Sequence, residues 1–316
     1  MKHIFRWLAL PPLGLLLAAT VVLLANEWAV ARASHRVANV PYVAASAPDF
    51  DSKRHRLDIY QPAKKAAAPR PVVLFIHGGS WDSGSKDDIL YKTIGRRLAK
   101  NGFVGVVISY RLAPQVQVPQ QADDCARALA WTVAHIGEYG GDPSHLVLMG
   151  HSAGGGLAAL LATGSDTLLA KYGLAGETVK STGDPEGDYW VHPRQQAIHG
   201  VLLDDPAGLD MLDYLTKMQY DGDAKYLVPF SKDPAVWRQA SALYHVRAGA
   251  PLMSIYIGGE TYPSIKESSE KFRQRLTQLG AAPKYTILPG KKHVGMVTQL
   301  FWPGNELYDE LKRLAR

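Results

Sequence analysis

Between residues 51 and 316, short apolar runs alternate with longer stretches whose apolar residues recur at helical spacing. The segments 72–76, 103–108, 145–149, 198–203, 252–257 and 284–288 read as strands. Continuous runs of this kind suit strands buried on both faces. Residues 55–60 alternate polar and apolar positions, as an early antiparallel strand does. Helical spacing falls at 87–100 (Ile89, Leu90, Ile94, Leu98), 119–136, 154–163, 268–279 and 301–314. Strand and helix in repeated alternation predict an α/β fold, a mostly parallel central sheet with helices on both faces.

Two segments break this rhythm. Residues 165–196 carry Gly183, Asp184, Pro185, Gly187 and Pro193, and residues 206–245 carry Met211, Leu212, Tyr214, Met218, Tyr220, Tyr226, Phe230 and Trp237. Each follows a strand and so should emerge at the edge where such sheets bind ligands. Both are expected to be inserted, cap-like segments that wall a pocket. Residues 34–50, rich in Ala, Ser and Pro, read as a linker, leaving 51–316 as one domain.

The N-terminal end differs in character. Lys2, His3 and Arg6 precede an uncharged apolar stretch of 19 residues from Trp7 to Ala25, broken by Pro11, Pro12 and Gly14. Its length is near that of a bilayer core. Ala31-Arg32-Ala33 has the small-x-small form of a cleavage site. The basic end should stay cytoplasmic and the remainder cross the membrane. Residues 1–33 are therefore expected to be a signal peptide or an uncleaved anchor, and the protein to be exported: periplasmic, secreted or held at the inner membrane.

Composition narrows the classes further. The formal net charge is +6, but no Lys/Arg block is dense enough for a nucleic-acid surface. Cys125 is the only cysteine, so an intrachain disulfide is excluded, and with Asp123 and Asp124 beside it the thiol reads as structural. Neither His-x-x-x-His nor paired-Cys spacing occurs, and no metal or other cofactor is implied.

The chemistry concentrates in three loops. Gly150-His151-Ser152-Ala153-Gly154 stands between a strand and a helix, the context of a nucleophile elbow. Its glycines permit the tight turn that presents the Ser152 hydroxyl at a helix N-terminus. His77-Gly78-Gly79-Ser80-Trp81 follows the strand at 72–76 and offers backbone N–H groups to an oxyanion. Gly79 or Ser80, with Gly78 also open, and the amide of Ala153 are the expected donors. His77 reads as a structural hydrogen-bonding residue, and the elbow geometry should point His151 away. His293 follows the last strand and a Pro289-Gly290 turn, 141 positions after Ser152, in the order nucleophile, acid, base. A histidine there can take the serine proton. Glu260, after the strand at 252–257, is the expected acid; Asp205 or Asp204, after the preceding strand, are the alternatives.

His77-Gly78-Gly79, Ser109-Tyr110-Arg111-Leu112-Ala113-Pro114, Gly141-Asp142-Pro143 and Gly150-His151-Ser152-Ala153-Gly154-Gly155 stand in one order. In this the chain resembles the hormone-sensitive-lipase-like and bacterial carboxylesterase branch of the α/β-hydrolases. The loop ending in Trp81 looks closer to acetyl-xylan/feruloyl esterases and kynurenine-formamidase-like relatives. The resemblance covers roughly residues 50–300. It implies the α/β-hydrolase fold, an acyl-enzyme mechanism and no cofactor. Two departures stand out: Glu260 where a Gly-x-x-Asp is usual, and His-Gly-Gly-Ser in place of His-Gly-Gly-Gly. The expected function is hydrolysis of carboxylic esters with short or medium acyl groups. An arylformamidase-type amidase is the alternative, and a catalytically dead binding domain is disfavoured because Ser152 and His293 are both present.

Overall fold

The computed structural model describes residues 30, 32–164, 166–174, 197–218 and 224–316. The leader expected at 1–33 lies outside these residues apart from Val30, Arg32 and Ala33, as does most of the insertion expected at 165–196, and Tyr220. Strands β1 (Ser34–Pro41), β2 (Arg56–Pro62), β3 (Arg70–Ile76), β4 (Val104–Ile108), β5 (Gly141–His151), β6 (Gly200–Asp204), β7 (Leu252–Gly258) and β8 (Lys284–Leu288) pair in the order β1-β2-β4-β3-β5-β6-β7-β8. The β1–β2 and β2–β4 pairs are antiparallel, and all the others are parallel. Strands β3 to β8 therefore end at one common edge.

Alternate residues of each central strand feed two cores. Val72, Leu74 and Ile76 join one face with Val106, Leu148 and Leu203, where the helices Val118–His135, Ala153–Thr163 and Pro263–Gln278 cover them. Val73 and Phe75 join the other face with Val107, Met149 and Leu202, under the helices Ile89–Lys100 and Glu306–Leu314. Strands coated on both sides must be apolar throughout, which is why their sequences show no alternation.

The first part of the linker expected at 34–50 is instead β1. Ser34 pairs with Pro62 and Pro41 with Arg56, while Leu57 of β2 lies opposite Ile108 of β4. The strand thus begins at the amino edge of the sheet and runs toward the common carboxyl edge. An edge strand buries little of itself, so it carries no apolar run. Asn39, with φ 60°, marks the register shift within it. Arg36 and the fully buried Lys86 hold this strand through Asp58, at 2.6 and 3.0 Å.

Residues 206–245 form the short helices Met211–Met218, Leu227–Phe230 and Pro234–Gln239. A further helix, His293–Thr298, was not foreseen. Among the described residues no helix is long and apolar enough to cross a membrane.

Candidate active site

Ser152 sits directly after β5 with φ 55° and ψ −125°. A non-glycine residue held there costs on the order of 1–3 kcal/mol, so its surroundings must hold it. They do: Ser152 N–H donates to the Asp204 carbonyl at 3.2 Å, and the Ser152 carbonyl accepts from Ala207 at 2.9 Å and Gly156 at 3.1 Å. The glycines of the motif allow main chain to meet main chain. A Cβ on Gly150 would lie 2.2 Å from the Gly154 carbonyl oxygen, and one on Gly154 only 2.1 Å from that of Ile76.

The His77–Trp81 loop faces the serine. Gly79, Ser80 and Trp81 all have positive φ, at 124°, 51° and 64°. The loop is pinned from behind. Tyr110 stacks on His77 at 4.4 Å and donates its hydroxyl to the His77 carbonyl at 2.9 Å. Gln121 Nε2 donates to the Trp81 carbonyl at 2.7 Å. The Ser109–Pro114 motif thus serves the loop, and Arg111 locks it to Asp124 through paired bonds of 2.7 and 2.9 Å. His77 is fully buried and bonds the Gly78 carbonyl through Nδ1 at 2.7 Å. Burial pushes its pKa down to about 4, so it is structural, as expected.

Gly78 is a correction among the expected oxyanion donors. Its N–H is turned to the Tyr91 hydroxyl at 3.2 Å. Its part is steric: a Cβ there would lie 3.1 Å from the Ser152 Cβ. The candidate donors are then Gly79 and Ser80, with Ala153, the first residue of its helix, whose N–H has no intrahelical acceptor.

His293 reaches the serine. Its Nε2 lies 2.8 Å from Ser152 Oγ, and its Nδ1 lies 2.5 Å from Asp205 Oδ2. Asp205 is fully buried. Its Oδ1 accepts from the Gly258 N–H at 2.8 Å, and its Oδ2 also accepts from the Thr261 hydroxyl. Three donors on one buried carboxylate fix its aim.

The carboxylate that meets His293 is thus Asp205 and not the expected Glu260. It stands exposed on the turn after β7, where its N–H donates to the Lys291 carbonyl at 2.9 Å. That turn supplies the donors of Gly258 and Thr261 instead of a carboxylate. The carboxylate facing His293 follows the end of β6, the strand hydrogen-bonded to the elbow strand β5. Asp204, the other alternative, is also excluded. It is fully buried and neither carboxyl oxygen has a partner among the described residues. Burial, then the neighbouring Asp205, hold its pKa well above the usual carboxylate range. The sequence signal was the Asp204-Asp205-Pro206 stop to an apolar run, but the choice between the two aspartates needed the turn at Asp205, whose φ is 48°.

A cavity of about 330 Å³ opens beside Ser152 and His293. Ser80, Trp81, Met211, Tyr214 and Tyr226 line it, so residues from the 206–245 segment reach the pocket. Asp210, Lys225, Ser264 and Ser268 add polar lining. Trp81 is held edge-on by Phe230 at 4.7 Å and by Tyr226 at 6.1 Å. Cys125 lies elsewhere, buried, with burial pushing its thiol pKa well up.

A strained serine after β5, a histidine after β8 and a sheet of this order define an α/β-hydrolase. More narrowly, the BD-FAE family model matches residues 57–276, and the chain belongs to that family. It is 29% identical over 269 residues to a probable isoprenylcysteine alpha-carbonyl methylesterase, ICMEL1, of Arabidopsis thaliana, covering 82% of this chain and 52% of that one. It is also 29% identical over 245 residues to the probable carboxylic ester hydrolase LipM of Mycobacterium tuberculosis, covering 76% and 53%. The chain spans about half the length of these curated relatives. Among solved structures, esterase B of Lactobacillus rhamnosis superposes with a TM-score of 0.69 at 24% identity, over 96% of this chain and 95% of that one, which shows the shared fold.

Proposed function

We propose that the chain hydrolyses carboxylic esters of short or medium acyl groups through an acyl-enzyme on Ser152. The observation that carries this is the unbroken line Ser152 Oγ, His293, Asp205, with contacts of 2.8 and 2.5 Å. Ser152 Oγ attacks the ester carbonyl carbon while His293 Nε2 takes its proton. The negative oxygen of the tetrahedral adduct faces the N–H groups of Ala153 and of Gly79 or Ser80. Collapse breaks the bond to the alcohol oxygen, which receives the proton from His293. A water then repeats the sequence on the acyl-enzyme, with His293 again as base, and frees the acid and Ser152. Asp205 keeps the His293 proton on Nδ1 and stabilises the imidazolium.

The modest cavity, lined in part by Trp81, supports small acyl groups, and relatives named as esterases support ester over amide cleavage. Ser152→Ala should reduce p-nitrophenyl acetate hydrolysis to the buffer rate and abolish covalent labelling by a fluorophosphonate. Labelled, active Ser152→Ala protein would refute the assignment. A substrate panel of acyl esters, acetylated sugars and N-formylkynurenine separates esterase from formamidase.

The same reading extends to location. The basic end and the apolar stretch from Trp7 to Ala25 support export. Val30 is fully buried and the Ala33 carbonyl accepts from Ala63 at 2.9 Å, which supports retention of the leader as an anchor over cleavage after Ala33. The mass of the exported protein tests this: a chain starting at Ser34 would refute retention.

A further inference from the structure

His151 is the second residue of the elbow, next to the nucleophile, and has no part in proton transfer. It is nevertheless tied to the base. Its Nε2 lies 3.0 Å from the main-chain carbonyl oxygen of His293, and the two rings pack at 4.7 Å with an angle of 33° between them. The two residues are 142 positions apart. A carbonyl only accepts, so Nε2 must carry the hydrogen. His151 is 5% exposed, and burial, reinforced by nearby His293, pushes its pKa down to about 3. At working pH it is therefore a neutral ring with the proton on Nε2, unable to compete with His293 for the serine proton.

We infer that His151 is a positioning residue, which fixes the main chain of the catalytic histidine to the nucleophile elbow. This rests on the triad reading above. The need for such a tie follows from the chemistry. In one turnover the His293 imidazole must face Ser152 Oγ, then the leaving alcohol, then the deacylating water. Its bond to Oγ is lost once the serine is acylated, and the bond to Asp205 restrains only the far side of the ring. The loop behind it is pinned to the β7 turn through Lys291 and Leu288, whose carbonyls accept from Glu260 and Gly259 at 2.9 and 2.8 Å. Those bonds refer the loop to β7 and not to the serine. The His151 bond refers it to the elbow, so that Oγ and Nε2 of His293 keep one spacing while substrate groups come and go. Small misplacement of a base costs rate steeply. His151 is also absent from the cavity lining, so it should not touch substrate.

The test uses two variants. His151→Leu keeps bulk and removes the donor; His151→Gln places an amide N–H near the position of Nε2. Turnover per active site, counted by fluorophosphonate titration, should fall about 10- to 100-fold in His151→Leu with KM for p-nitrophenyl acetate within about two-fold of the parent. His151→Gln should recover to within about three-fold of the parent turnover. A merely structural role would lower the number of titratable sites and leave turnover per site unchanged. Parent-like turnover per site in His151→Leu would overturn the inference. So would a folded His151→Gln as slow as His151→Leu, or, should His151→Leu fail to fold, a folded His151→Gln at least 100-fold slow. Loss of labelling in the parent protein would instead refute the triad reading itself.

Discussion

Asp204 and Asp205 are neighbours in sequence and opposites in the molecule. Both are fully buried at the end of β6. Asp205 turns toward the catalytic edge and meets donors from Gly258, Thr261 and His293. Asp204 remains on the strand, with both oxygens unpartnered among the described residues and its pKa pushed well up by burial. Adjacent strand residues face opposite sides of a sheet. One residue of chain therefore separates a carboxylate held by three donors from one with none among the described residues. Which carboxylate acts is decided by the donors around it.

The sharpest way to break this comparison is Asp205→Asn. It keeps the shape but loses the preference for the Nδ1–H tautomer of His293, and turnover should fall about 10³- to 10⁴-fold. Steady-state kinetics with p-nitrophenyl acetate would show it, and a loss under ten-fold would contradict the assignment. Asp204 should behave in the opposite way, through stability instead of rate. Asp204→Leu removes an unpartnered buried carboxyl and should stabilise the fold by about 1–3 kcal/mol, with turnover unchanged. The pH dependence has a definite sign. A carboxyl whose folded pKa is raised above its unfolded value of 3.8 stabilises the fold most below that value. Stability is then lost as pH rises toward the folded pKa. The gain of Asp204→Leu over the parent should therefore widen above about pH 4, read as the difference in Tm by calorimetry. The smallest effect belongs to Glu260→Gln. Exposed and outside the triad, Glu260 should tolerate the change with kcat/KM within about two-fold of the parent. A drop of several orders of magnitude would return the acid to the β7 turn.

Much of the site was legible because it is written in local motifs. The elbow needs glycine where backbones touch, the oxyanion loop needs residues at positive φ, and the base follows the last strand. Each demand leaves its mark within a few residues. The acid makes no such demand. It must only lie near His293 Nδ1, and either β6 or β7 can deliver it, so the sequence left three carboxylates in contention. The same distinction explains β1. Its Ser-His-Arg-Val-Ala-Asn-Val-Pro reads as connector because an edge strand has one hydrogen-bonded neighbour and half-exposed faces. What makes it a strand is β2, and pairing partners are not visible along the chain. The role of His151 was hidden for a similar reason, since its partner is a carbonyl 142 positions away.

The direction of β1 sets the side of the sheet from which the chain before Ser34 would leave. Because that strand starts at the amino edge of the sheet, a lipid-embedded leader would tether the protein by its base, with the mouth of the cleft turned outward. Tags or surfaces attached before Ser34 would leave the cleft clear.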